Sequence, residues 1–220
     1  MRDGLHGSRR GLSLFRARCL AFVALMLLLC PFPSWAADSS LTIIPQTSHT
    51  EALLMGLYFR TPQLGWVVGS GGTILKTVDG GKKWKKIASG TTASLSAVFF
   101  FDEKQGWAVG ANGTILRSQD GGNTWHQQLV ETQVSFYGLS FVSASEGWVV
   151  GGNGTILHTK DGGIHWLDQT SKTSAALYGV QFLSARHGTI VGAVGTVLMT
   201  DDGGITWIPQ ETQGAATLFD

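Results

Sequence analysis

Ser118-Gln-Asp-Gly-Gly-Asn-Thr-Trp125 is the stretch that decides the fold, because the chain repeats it. Thr77 to Trp84, Thr159 to Trp166 and Thr200 to Trp207 follow the same pattern, with successive tryptophans 41 residues apart. In each copy the aspartate can accept amides of its own turn, glycine can take left-handed geometry, and tryptophan can cover the hairpin with a large apolar face. Asp79, Gly81 and Trp84, Asp120, Gly122 and Trp125, Asp161, Gly163 and Trp166, and Asp202, Gly204 and Trp207 therefore read as structural. One carboxylate per repeat places these aspartates on separate units, so neither a calcium cluster nor an acid-catalytic pair is expected. No metal or cofactor site follows from the pattern.

Each period also reads as four short strands. In the third copy, Tyr137 to Phe141, Glu146 to Val150, Thr155 to Thr159 and the segment around His165-Trp166-Leu167 are β-branched or aromatic and are punctuated by glycine. Asn-Gly at 112–113 and 153–154 supplies the positive φ angles of a tight hairpin between the second and third strands. Asn112-Gly-Thr114 and Asn153-Gly-Thr155 match a glycosylation sequon but read as turn chemistry. A phosphate-cradling glycine loop is excluded, because the residues run on into a strand rather than into a helix N-terminus. The expected fold is all-β: a β-propeller or propeller segment built from four 41-residue, four-stranded antiparallel blades.

The organisation follows. Residues 1–36, with five arginines, an apolar run from Cys19 to Leu29 and Ser34-Trp35-Ala36, read as a secretory signal peptide. Residues 37–50 are a lead-in whose Thr42-Ile-Ile-Pro-Gln46 echoes the fourth strand Thr206-Trp-Ile-Pro-Gln210. Residues 51–213 hold the four repeats, and 214–220 resemble the start of a further blade, since Ala216 to Phe219 lines up with Ala175 to Tyr178. The chain reads as a piece of a larger propeller, a small closed ring, or half of a ring that two chains complete. Exposed blade edges would make it a homo-oligomer. The expected location is across the inner membrane, periplasmic or extracellular, and lumenal in a photosynthetic source.

Without the leader's five arginines and Asp3, the chain carries 11 basic against 14 acidic residues. This balance argues against nucleic-acid binding, which calls for a concentrated basic face. Lys82, Lys83, Lys85 and Lys86 are the local exception; strand alternation should split them between two faces at a solvated blade edge. Both cysteines, Cys19 and Cys30, fall in the leader, so stability must come from packing.

Ser/Thr-x-Asp-x-Gly-x-Thr-Trp is the Asp-box, or bacterial neuraminidase repeat. The further pattern Gly-Trp-x-Val-Gly-(x)2-Gly-Thr-Ile-Leu, at Gly106 to Leu116 and Gly147 to Leu157, resembles the photosystem II stability/assembly factor family of propellers. The resemblance covers roughly residues 51 to 213 and implies a non-enzymatic scaffold for a protein partner, such as a membrane or envelope protein under assembly. It also implies a basic partner-binding patch, from which this acidic chain departs.

The competing readings are a sialidase-like glycoside hydrolase and a carbohydrate-binding module. The first would need an arginine cluster, but Arg60, Arg117 and Arg186 occupy three different repeat positions. His158 and His165 could approach one another across the Asp161 hairpin as a metal pair, although no third ligand is evident and exposed strand histidines are the simpler reading.

Positions shared by all copies, Phe59, Phe100, Phe141 and Phe182 or Leu75, Leu116, Leu157 and Leu198, are expected to form core. The loops after each first strand vary. Arg60, Gln63, Asp102, Lys104, Glu146, Arg186 and His187 are therefore the candidate partner-binding rim, because loops on a rigid scaffold carry most recognition.

Overall fold

Each period becomes one antiparallel sheet whose strands follow chain order. The computed structural model describes residues 44–212 and 214–219. The signal-peptide reading of residues 1–36 lies outside them, as does the first half of the lead-in. The first blade comprises β1 (Leu54–Phe59), β2 (Gly65–Gly69), β3 (Thr73–Thr77) and β4 (Lys85–Ile87). The second comprises β5 (Leu95–Phe100), β6 (Gly106–Gly110), β7 (Ile115–Ser118) and β8 (His126–Gln127). The third comprises β9 (Phe136–Phe141), β10 (Gly147–Gly151), β11 (Ile156–Thr159) and β12 (Leu167–Gln169). The fourth comprises β13 (Leu177–Phe182), β14 (Gly188–Gly192), β15 (Val197–Thr200) and β16 (Ile208–Pro209). The described residues thus form a four-blade β-propeller segment.

The second strands are buried throughout in the first three blades, and the fourth strands are short and mostly exposed. Neighbouring first strands lie against one another, β1 on β5, β5 on β9 and β9 on β13. The backbones come so close that a Cβ at Gly138 would sit 2.8 Å from the Tyr178 carbonyl oxygen. Every first strand carries a bulge near its start, around Met55, Ser96, Tyr137 and Tyr178. The bulge turns these side chains into a groove of about 800 Å³ lined by Tyr58, Phe99, Tyr137, Tyr178 and Phe219.

The hairpins between second and third strands use the expected chemistry with one exception. Asn112 and Asn153 adopt φ of 57° and 56°, but the same place in blade 4 is held by Val194 at φ 56°. A β-branched residue in that region is strained, since its Cβ crowds the following carbonyl.

Most of the expected core is buried: Phe100, Phe141 and Phe182, and all four of Leu75, Leu116, Leu157 and Leu198. Phe59 is the correction, at 39% exposed. In the other blades this ring is covered by the preceding blade, and among the described residues no strand precedes β1. The lysines also depart from expectation. All four are exposed, because Lys82 and Lys83 lie in the Asp-box turn and only Lys85 and Lys86 lie on β4.

Candidate protein-binding rim

The Asp-box turns repeat one hydrogen-bond pattern. In blade 2 the buried Ser118 hydroxyl donates to Asp120 Oδ1 (2.9 Å) and accepts the Gly122 amide (2.8 Å), while Asp120 Oδ1 accepts the amides of Asn123 and Thr124. Thr77 with Asp79, Thr159 with Asp161 and Thr200 with Asp202 do the same. Desolvation tends to raise the Asp120 carboxyl, but the bonds from Thr124 and Ser118 outweigh it and leave a pKa of about 2. The His165 amide and ring hold Asp161 at about 2, and the Thr206 hydroxyl and amide do so for Asp202. Asp79 is lowered chiefly by the Lys83 amide.

The rim loops are fastened to these turns. The amides of Gly80, Gly121, Gly162 and Gly203 donate to the carbonyls of Gln63, Lys104, Ser145 and Arg186 at 2.7–2.9 Å. Each loop after a first strand is thus tied to the Asp-box of its own blade, which places loop and box at the same end. Loop backbone geometry is fixed while the side chains are left to vary.

The seven rim candidates divide by what they already do. Arg60, Gln63, Lys104, Arg186 and His187 are exposed, although Arg186 Nε donates to the Asp201 carbonyl and His187 Nδ1 lies 3.1 Å from Ser184 Oγ. Asp102 is half-buried and accepts the amides of Lys104 and Gln105, so it builds its turn. Glu146 is also half-buried and meets His158 Nε2 at 3.2 Å.

That contact corrects the reading of the histidines. His158 is buried and stacks on Trp148 with ring centroids 4.5 Å apart, whereas His165 is exposed and bound to Asp161 at 2.7 Å. Each has its own acidic partner, and the two are not a metal pair. Burial lowers the His158 pKa, and the Glu146 hydrogen bond opposes the shift. Among the described residues no group of three or more potential metal-binding side chains converges.

Sequence reasoning missed the joints between blades. Trp66 stacks on Phe100 of the next blade (3.5 Å), Trp107 on Phe141 (3.7 Å) and Trp148 on Phe182 (3.5 Å). The Asp-box tryptophans 125, 166 and 207 meet those phenylalanines edge-on. Trp66 and Trp107 also donate through Nε1 to Gly121 and Gly162 in the next blade's Asp-box. In the third joint Gln169 binds Gly203 O and Trp207 Nε1, and Trp148 Nε1 is left without a partner. The residue opposite each of these tryptophans on the third strand is Lys76, Arg117 or His158. Lys76 and Arg117 lie about 6 Å from the indole centroids, within reach of a cation–π contact. The signal was present in the 41-residue register, but it pairs residues of different repeats.

Residues 83–172 match the model described as photosynthesis system II assembly factor YCF48. That stretch is similar to the repeat of the YCF48 family. Among solved structures, YCF48 bound to D1 peptide is 29% identical, with a TM-score of 0.56 over 61% of this chain. The chain spans 45% of the length of that relative. YCF48 from Cyanidioschyzon merolae is 18% identical over 78% of this chain and 90% of its own, with a TM-score of 0.50. An ancestral GH74 enzyme is 14% identical, with a TM-score of 0.64 over 77% of this chain and 25% of its own, a likeness of fold alone. Among curated proteins, none matches the chain.

Proposed function

We propose that this chain is a secreted, non-enzymatic propeller scaffold that binds another protein through its rim, a membrane or envelope protein under assembly in the manner of YCF48. The observation that supports the reading is the fastening of each rim loop to its own Asp-box, which presents Arg60, Gln63, Lys104, Arg186 and His187 on a fixed backbone. A preorganised surface of this kind binds without first ordering its own loops. The YCF48 structure at 29% identity is bound to D1 peptide, which makes that peptide the partner to try first. Each Asp-box carboxylate is engaged within its own turn, which favours a scaffold over acid catalysis. The periplasm, the extracellular space or a thylakoid lumen would be the setting, and copies would associate through exposed blade edges.

Calorimetric titration of the purified protein with a D1 peptide tests this. Saturable binding is expected, weakened about tenfold when Arg60, Gln63 and Lys104 are replaced together by alanine. Absence of peptide binding together with turnover of a fluorogenic sialoside would replace the scaffold with a glycosidase. Sugar-dependent quenching of tryptophan fluorescence would replace it with a carbohydrate-binding module.

A further inference from the structure

Among the described residues, the outer edges of blades 1 and 4 carry the unmatched halves of the joint that these residues make three times between neighbouring blades. Blade 1 presents the receiving half: Phe59 is 39% exposed and meets its own Trp84 edge-on at 6.1 Å, where the inner joints add a stacked indole. Blade 4 presents the donating half, with Thr189 at the place of Trp66, Trp107 and Trp148. The missing indole opens a cleft of about 520 Å³ floored by Leu183, Thr189, Met199, Asp201 and Ile208.

The charges at these two edges are arranged for each other. On the third strand, the position that is Lys76, Arg117 and His158 at the inner joints is Met199 at the terminal one. The group it would meet on the incoming blade is fixed by the first joint, where Lys76 Nζ donates to Asn123 Oδ1. Register puts Lys82 of blade 1 at the place of Asn123, so a cation at 199 would face a cation and methionine does not. The acid in the cleft is equally local: Asp201 stands where the other blades carry Val78, Gln119 and Lys160. Blade 1 carries Arg60, Lys76, Lys82, Lys83, Lys85 and Lys86 against Glu51 and Asp79, whereas blade 4 carries Arg186 against Asp201, Asp202 and Glu211.

We propose that a second copy of this chain docks head to tail, its Phe59 entering the cleft over Thr189 and its Lys82 and Lys83 facing Asp201. This inference deepens the association named under the proposed function and is independent of peptide binding at the rim. One segment must move. Leu218 and Phe219 occupy on blade 4 the register of Leu54 and Met55, held by Leu218 N to Gly192 O and by Phe219 against Tyr178. Phe219 is 70% exposed and the segment forms no strand, so it yields to the ordered β1 of the incoming copy. Such a heterologous contact uses two different patches and closes when the rotation allows a ring.

Sedimentation equilibrium of the purified protein tests the contact by charge exchange. D201K is compatible with the blade, since Lys160 fills the same place in blade 3, and Lys82 and Lys83 are exposed. The wild-type protein is expected to associate with rising concentration, and less tightly at higher salt. D201K alone and K82E/K83E alone should each associate about tenfold more weakly. An equimolar mixture should recover wild-type association, because each joint then pairs opposite charges. A chain ending at residue 215 should associate more tightly. A wild-type monomer at all concentrations, a mixture no tighter than either variant, or tighter association not following removal of 216–220 would overturn the proposal. None of these results depends on whether a D1 peptide binds.

Discussion

The indole of Trp107 donates to the Gly162 carbonyl at 2.9 Å, across the boundary between blades 2 and 3. Trp107 is fully buried and its ring also stacks on Phe141, so one side chain both fills the joint and pins the next Asp-box. W107F keeps a ring but leaves the Gly162 carbonyl unpaired, at a cost of about 2 kcal/mol. W107A adds a cavity and should cost about 4 kcal/mol. Urea unfolding of both variants checks the order.

Val194 is the strained turn residue. Asparagine fills the equivalent position in blades 2 and 3 at nearly the same φ, so V194N should raise stability by about 1 kcal/mol. The substitution touches no buried contact, since Val194 is 70% exposed. A midpoint shift to higher urea with an unchanged slope is the expected result.

The buried hydroxyl of Ser118 links Asp120 to the Gly122 amide. S118A leaves that amide unpaired inside the turn and should cost about 1–2 kcal/mol. S118T restores the group used in the other three blades and should recover most of the loss, as thermal unfolding of the pair would report.

The Asp-box carboxylates also set an acid limit. Asp120, Asp161 and Asp202 have folded pKa values of about 2 against an ordinary 3.8, so the folded state binds fewer protons than the unfolded one between those values. The stability they contribute is present above the ordinary value and is lost as pH falls towards 2. Solvent screening keeps the contribution of each small, because Asp120 is exposed and Asp161 and Asp202 are only half-buried. The urea midpoint should decline steadily from pH 5 to pH 2, and less steeply in D161N.

The 41-residue period was enough to read four antiparallel sheets from the sequence, because strand, turn and Asp-box recur in phase and each is a local decision of backbone chemistry. Asp120 with Ser118, and Asn112 in its hairpin, are examples of residues whose partners lie within a few positions. The joints were not legible in the same way. Trp66 meets Phe100 in the following repeat, so a reading of one period at a time assigns both to core without pairing them. Phe59 has the sequence of a core residue and is exposed because its partner would come from a neighbouring blade. His158 looked like a solvated strand residue, but Trp148 on the adjacent strand offers a ring to stack on and Glu146 a carboxylate to bind.

A protein partner held at the rim, as proposed, leaves a footprint distinct from one held in the groove lined by the first strands. Hydrogen–deuterium exchange of the purified protein with and without a D1 peptide separates the two. Slowed exchange confined to the loops at 60–64, 101–105, 142–146 and 183–187 is expected. Protection centred on the first strands, around Tyr58, Phe99, Tyr137 and Tyr178, or no protection at saturating peptide, would contradict it.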